Sequence, residues 1–409
     1  MKKLLSVVLA LLMLAVMLPV TAMAEDTNYC TIEGITEADG TTLKHFDTLT
    51  AAAKAWRESK QIVTEGPTLG GHPAELTEVE SIEWNIYGTV PVGDGAGVTG
   101  NNGAGDCIFT GGYFTPAVTV SKVTVTGHNN ATISKTNDEY RVSVNANEVV
   151  FANITFEGSM RNTGNPGSLT FTNCTFKAGL RMPHARDNST LKVENCVFTG
   201  SEESGYAIFV QGNLANVAIS GNQISNAKCG MNIQTAPATV SITGNTITNL
   251  TGKDANGSKY GSAIQLTKGV SFTVTDNIIN TQNVNAFHFY KGLAAETVTI
   301  NNNTIKAPYL LWNDANLDQS KITSSGNTLD IANPGKAMTK TDGAIDSTTT
   351  INGTVVEHPT VIIIDRPAGD TPKTDDQKNP ATGANDMVAA AVALMAVSAL
   401  GMAVLSRKK

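Results

Sequence analysis

Three arginines, Arg141, Arg161 and Arg181, recur at even spacing in a chain whose 36 acidic residues outnumber its 29 basic ones, for a net charge of −7. A guanidinium is a planar fork that matches a carboxylate or sulfate with two hydrogen bonds. A periodic set of them offers a track for a polyanion. The plainer reading is that exposed arginines keep one face soluble, or pair with nearby acids such as Glu157. The acidic balance gives no reason to expect a nucleic-acid partner. The stretch RMPHARD gathers Arg181, His184, Arg186 and Asp187, the best candidate cluster for proton transfer in the chain. A histidine in such a loop is more often an ordinary surface residue. The longest insertion, LTGKDANGSKYG, adds Lys253, Asp254 and Tyr260. No nucleophile motif and no phosphate-binding loop is present. Five cysteines without a CxxC pair indicate neither a disulfide framework nor a zinc site.

What must position these residues is a short sentence written many times: LTFTNCTF, LKVENCVF, VAISGNQI, VSITGNTI, FTVTDNII, VTINNNTI. Apolar residues alternate with polar ones, so these are strands whose alternate side chains share a face. Each strand ends at a bend whose first residue is Asn153, Asn173, Asn195, Gly221, Gly244, Asp276, Asn302 or Gly326. Those residue types enter the left-handed region most readily. The second bend residue is Ile154, Cys174, Cys196, Asn222, Asn245, Asn277, Asn303 or Asn327. The interval between bends is shortest from Asn153 to Asn173 and longest from Gly244 to Asp276. A fixed bend returning at such intervals means stacked coils around one apolar column. Phe156, Phe176, Phe198, Ile224, Ile247, Ile279, Ile305 and Leu329 form the matching core stack.

These repeats resemble the pectate-lyase-type superfamily over about Ile82 to Leu329. The resemblance implies an all-β fold, a right-handed parallel β-helix with three strands per coil and an internal asparagine ladder. Asn222, Asn245, Asn277, Asn303 and Asn327 match that ladder and have a structural role, since a buried amide must be paired. Cys174 and Cys196 replace asparagine in consecutive coils and stand within disulfide range. The preferred reading is two thiols filling an apolar stretch. Upstream, KHFDTLTAAAKAWRESKQ reads as a helix capped by Asp47, with Leu49, Ala52, Ala53 and Trp56 on one face, covering the open end of the solenoid. TTTINGTVVEHPTVIIID reads as strands closing the other end.

In this superfamily the substrate groove runs along the outer face of the first strand of each coil. First strands fall upstream of each bend, in the segments YRVSV, SMRN, GLRMP, AIFVQ, GMNIQ, AIQLT, AFHFY and YLLW. With apolar residues placed inward, the outward column is Arg141, Arg161, Arg181, Phe209, Asn232, Gln265, His288 and Leu311, with Leu310 as the alternative in the last coil. A second column holds Gln211, Gln234, Thr267 and Tyr290. The superfamily's lyases use acidic calcium ligands with an Arg or Lys base, and its hydrolases use clustered aspartates. Neither column contains Asp or Glu. Acids occur only in the flanking loops, at Glu157, Asp187, Glu202, Glu203 and Asp254. No cofactor or metal is therefore expected, and calcium has no carboxylate in the columns to hold it. A calcium-independent lyase stays open, with Arg181, His184 and Lys253 as its candidate catalytic residues.

The ends place the chain. Residues 1–24 pair Lys2 and Lys3 with an apolar run and Ala22-Met23-Ala24, as a signal peptidase requires. Residues 25–80 form the cap region, 81–365 the β-helix and 366–378 a polar linker. Residues 379–409 join Asn379-Pro380-Ala381-Thr382-Gly383, an apolar run from Met387 to Leu405 long enough to cross a bilayer, and Arg407-Lys408-Lys409. That order resembles the sorting signal of Gram-positive surface proteins. The resemblance implies sortase cleavage between Thr382 and Gly383 and transfer to peptidoglycan. Asn379 departs from the commoner leucine. Three readings follow: a wall-anchored protein binding an acidic polysaccharide, a wall-anchored polysaccharide lyase, or a structural stalk. The missing carboxylates favour binding over cleavage, and the arginine column favours either over a stalk.

Overall fold

The bend residues carry the architecture. In a computed structural model of the chain, Asn153, Asn173, Asn195, Gly221, Gly244, Asp276, Asn302 and Gly326 all adopt φ between 52° and 66°, the left-handed conformation these types tolerate. The structure describes residues 28–59, 77–93, 118–134, 139–142, 146–162, 166–182, 187–202, 204–236, 238–252, 261–308, 310–313, 315, 317–332, 350–351 and 354–355. The chain divides into two units, Met1–Arg366 and Pro367–Lys409, and every described residue belongs to the first. The signal peptide, the linker and the sorting signal with Thr382 and Gly383 lie outside the described residues.

Each coil contributes one strand to an eight-stranded parallel sheet, running from Glu139–Val142 to Leu311–Asn313 in chain order. It then contributes a longer strand, the bend and a short strand to a second, larger sheet, as in Ser168–Thr172 followed by Thr175–Phe176. Coil-to-coil pairing is parallel throughout the described residues. Antiparallel strand pairs occur at the two ends, where Tyr29–Ile32 pairs with Thr77–Pro91 and Thr350–Ile351 with Thr354–Val355. The core stack is in register from Phe156 through Phe176 and Phe198 to Ile224, Ile247, Ile279, Ile305 and Leu329. Its phenylalanines stack nearly parallel, Phe176 on Phe198 at 4.6 Å between centroids.

The asparagine ladder satisfies its own buried amides. Asn245 Oδ1 accepts the backbone N–H of Asn222 at 3.0 Å and its Nδ2–H at 2.9 Å. Asn277, Asn303 and Asn327 repeat the pattern on the coil before them, at 2.9–3.0 Å. Each Nδ2 also donates to a main-chain carbonyl, such as that of Ile242 for Asn277. The ladder hands over to the cysteines where Asn222 Oδ1 accepts the Cys196 N–H at 2.8 Å. Cys174 and Cys196 are buried free thiols, and Cys196 Sγ accepts the Cys174 N–H at 3.4 Å.

Helix Leu49–Ser59 buries Leu49, Ala52, Ala53 and Trp56 against the first coils. Its cap is Thr48, whose Oγ1 accepts the Ala51 N–H at 3.1 Å, and not Asp47. The helix begins one residue later than the sequence pattern indicates, so the N-cap geometry falls to Thr48. Asn277→Ala removes the acceptor of two Asn245 donors and should cost about 3 kcal/mol. A urea melt reads this as a lowered midpoint, and a loss under about 0.5 kcal/mol would contradict the ladder's role.

Candidate ligand-binding face

Along the eight-stranded sheet, Arg141, Arg161, Arg181, Phe209, Asn232, Gln265 and His288 occupy one unbroken register column. The last position is Trp312, not Leu311 or Leu310. Leu311 pairs with Phe287 and is buried inside the coil, while Trp312 takes the register position beside His288. The column is therefore a real outer ridge, but it is not uniformly open.

Arg161 is half-buried. The Arg181 side chain keeps 19% of its surface, with Nη1 at 3.9 Å from Glu202 Oε2 and its guanidinium 5.3 Å from the centre of the Phe209 ring. Glu157, the acid the sequence offers as an arginine partner, is bound instead by Lys177 at 3.2 Å. Glu202 is the carboxylate that answers Arg181. Its side chain is wholly buried and accepts the N–H groups of Ser204 at 2.9 Å and Tyr206 at 3.2 Å. Burial raises its pKa above the ordinary carboxylate value, against the pull of those two amides and Arg181.

The middle of the column is closed over. Phe209, Asn232, Gln265 and His288 retain 7%, 6%, 7% and 4% of their surface, which corrects the expectation that all four lie open to a ligand. Tyr206, which the repeats do not single out, contributes to this closure. Its hydroxyl donates to Gln265 Oε1 at 2.9 Å from two coils away, so its side chain must lie along the stack across the intervening coil. It packs with Phe209 and Cys229 in an apolar cluster apart from the main core. Beneath it Thr267 donates to Asn232 at 2.8 Å, Gln265 Nε2 donates to Thr267 at 3.1 Å, and His288 Nδ1 sits 3.2 Å from Gln265 Oε1. Asn232, Gln265 and Thr267 thus meet one another's hydrogen-bonding groups.

The second column is more accessible. Gln211 and Gln234 are half-buried and share a hydrogen bond of 3.3 Å, and Tyr290 keeps 44% of its surface. Thr267 is only 8% exposed and turns to Asn232. A bulge between Ile233 and Gln234 sets Lys268 opposite Gln234 in its place. Strict alternation misses such a shift, because a bulge sets two residues against one.

Of the RMPHARD segment, Arg181 turns to Glu202 while Asp187 accepts Asn213 Nδ2 at 2.8 Å, so the structure does not bring those two together. His184, Arg186, Glu203, Lys253, Asp254 and Tyr260 lie outside the described residues. Among the described residues no three His, Cys, Asp or Glu side chains converge as metal ligands. No described helix is long and apolar enough to cross a membrane, and the C-terminal apolar run lies outside that description.

The family model for a right-handed beta helix region matches residues 106–262 and again 159–333, together more than half of the chain. This chain belongs to the right-handed β-helix family. No curated protein and no solved structure matches it. In this β-helix protein, as the pairing shows, the outer face of the eight-stranded sheet carries a cationic end, a sealed aromatic and amide centre, and an open polar flank.

Burial alone lowers the pKa of His288 from 6.5 to about 4. Its neutral form is favoured by the fold, so the unfolded chain binds the proton first. Stability should fall as pH drops from about 6.5 towards about 4. His288→Gln should flatten that part of the pH–stability curve. A His288 ring resonance titrating near 6.5 would refute the burial assigned to it.

Proposed function

We propose that this chain is a bacterial surface protein, held to the cell wall through Thr382, whose β-helix binds an acidic polysaccharide along the outer face of the eight-stranded sheet. The observation that carries this reading is the in-register ladder of Arg141, Arg161 and Arg181 on a chain that is acidic overall. Coils stack about 4.8 Å apart, so like charges in adjacent coils repel unless carboxylates or an anionic ligand offset them. Glu202 does so for Arg181 at one end of the ladder. Sulfate or uronate carboxylates on a bound chain, repeating along its length, match a repeating row of guanidinium groups.

Binding is favoured over cleavage. Neither column carries a carboxylate, and Arg181 already engages Glu202 and Phe209. A stalk without a ligand does not require arginine at three successive positions of one column. The sorting motif, linker and basic tail support display at the wall, with signal peptidase and sortase as processing partners.

Retention on immobilised pectin, alginate or a glycosaminoglycan should weaken about ten-fold in Arg161→Ala. It should decline as salt screens the contact, while Arg161→Lys recovers part of it. Arg181→Ala is the wrong probe, because it strands the buried Glu202. Unchanged retention in Arg161→Ala would remove the ligand reading. Separately, Thr382→Ala should leave the protein in the membrane fraction, and wall-linked Thr382→Ala protein would contradict sortase anchoring.

A further inference from the structure

We propose a second anion-binding position at Lys268, beyond the arginine ladder, so that the face takes an acidic chain engaged at both ends. This inference rests on the glycan-binding reading and specifies the length of chain that reading requires. The bulge places Lys268 opposite Gln234, and its side chain is exposed. An inward side chain at this point would be buried in the core, so Lys268 stands on the outer face. Its backbone is held on both sides. Leu266 pairs with Phe289 just before it. Gly269 follows at φ 153°, where a Cβ would come within 2.3 Å of the Phe272 ring, so no other residue fits there without moving that ring. Tyr290, an exposed aromatic on the same face, stands one coil further on with its N–H on the Leu266 carbonyl at 2.9 Å.

Between Arg181 and Lys268 lie the coils of Phe209 with Gln211 and of Asn232 with Gln234, which carry no charge in either column. The accessible surface therefore reads, in order, cation, amide, amide, cation, aromatic. From Arg161 to Lys268 is four coil steps, about 19 Å. One coil step is close to the advance of one pyranose ring in an extended chain. A chain of about five rings spans both cationic ends, with its middle hydroxyls over Gln211 and Gln234. Chains of two or three rings reach only one end.

The test is affinity for size-fractionated oligogalacturonates, sulfated glycosaminoglycan fragments and alginate oligomers, measured on the intact β-helix protein. Wild type should gain affinity steeply once the oligomer reaches about five rings. Lys268→Ala should weaken long oligomers about five-fold and leave oligomers of two or three rings unchanged. Lys192→Ala removes an exposed lysine from a strand of the other sheet and should leave both series unchanged, which controls for net charge. Equal effects of Lys268→Ala on short and long oligomers, or no effect on either, would overturn the assignment while Arg161→Ala still tests the broader reading. If wild type binds none of these polymers, the assignment and the glycan reading fall together.

Discussion

A buried amide with no partner is expensive, and this fold turns that cost into a registration device. Each ladder asparagine has two donors and an acceptor inside the solenoid, and it can satisfy them only if the next coil stops at the same place. Asn222, Asn245, Asn277, Asn303 and Asn327 meet that condition in sequence. The bends beside them are left-handed for the same reason, since the chain must turn there in two residues. Coil length between bends is free to vary, and it does, because the ladder fixes only where each coil turns.

That freedom is what makes the outer face available for chemistry. Once the bends are in register, a residue placed a dozen or so positions earlier falls into a column automatically. Arg141, Arg161 and Arg181 are aligned by the scaffold and not by attraction to one another. Like charges in adjacent coils repel, and at Arg181 the buried Glu202 offsets that repulsion. The centre of the face is handled differently. There Tyr206 lies along the stack and closes a network of Asn232, Gln265, Thr267 and His288, and burial there keeps His288 neutral. The result is a closed centre beside a cationic end.

Much of this is legible in the residues. The bend types, the ladder, the Phe-to-Ile core stack and the first seven outer positions follow from period-two alternation and the coil period. What escapes has specific physical causes. Thr48 caps the helix because the helix starts one residue after the pattern suggests. Trp312 takes the place expected of Leu311 because YLLW offers two apolar residues and alternation alone cannot choose between them. Lys268 is hidden by a bulge, which breaks the period on which the reading depends. Tyr206 leaves no signal, since its role comes from reaching two coils along the stack and not from its own position. Facing outward also does not mean exposed: side chains on the outer face can bury one another.

The central claim is that ligand and scaffold meet on this one face. Hydroxyl-radical footprinting tests it directly, with the protein alone and with a long acidic polysaccharide. Tyr290, open on the outer face of the eight-stranded sheet, should be protected when the polymer is present. His45, exposed and stacked on Tyr29 at the N-terminal end, should be oxidised equally in both. Equal oxidation of Tyr290 with polymer retained, or protection confined to His45, would place the ligand elsewhere and contradict the account.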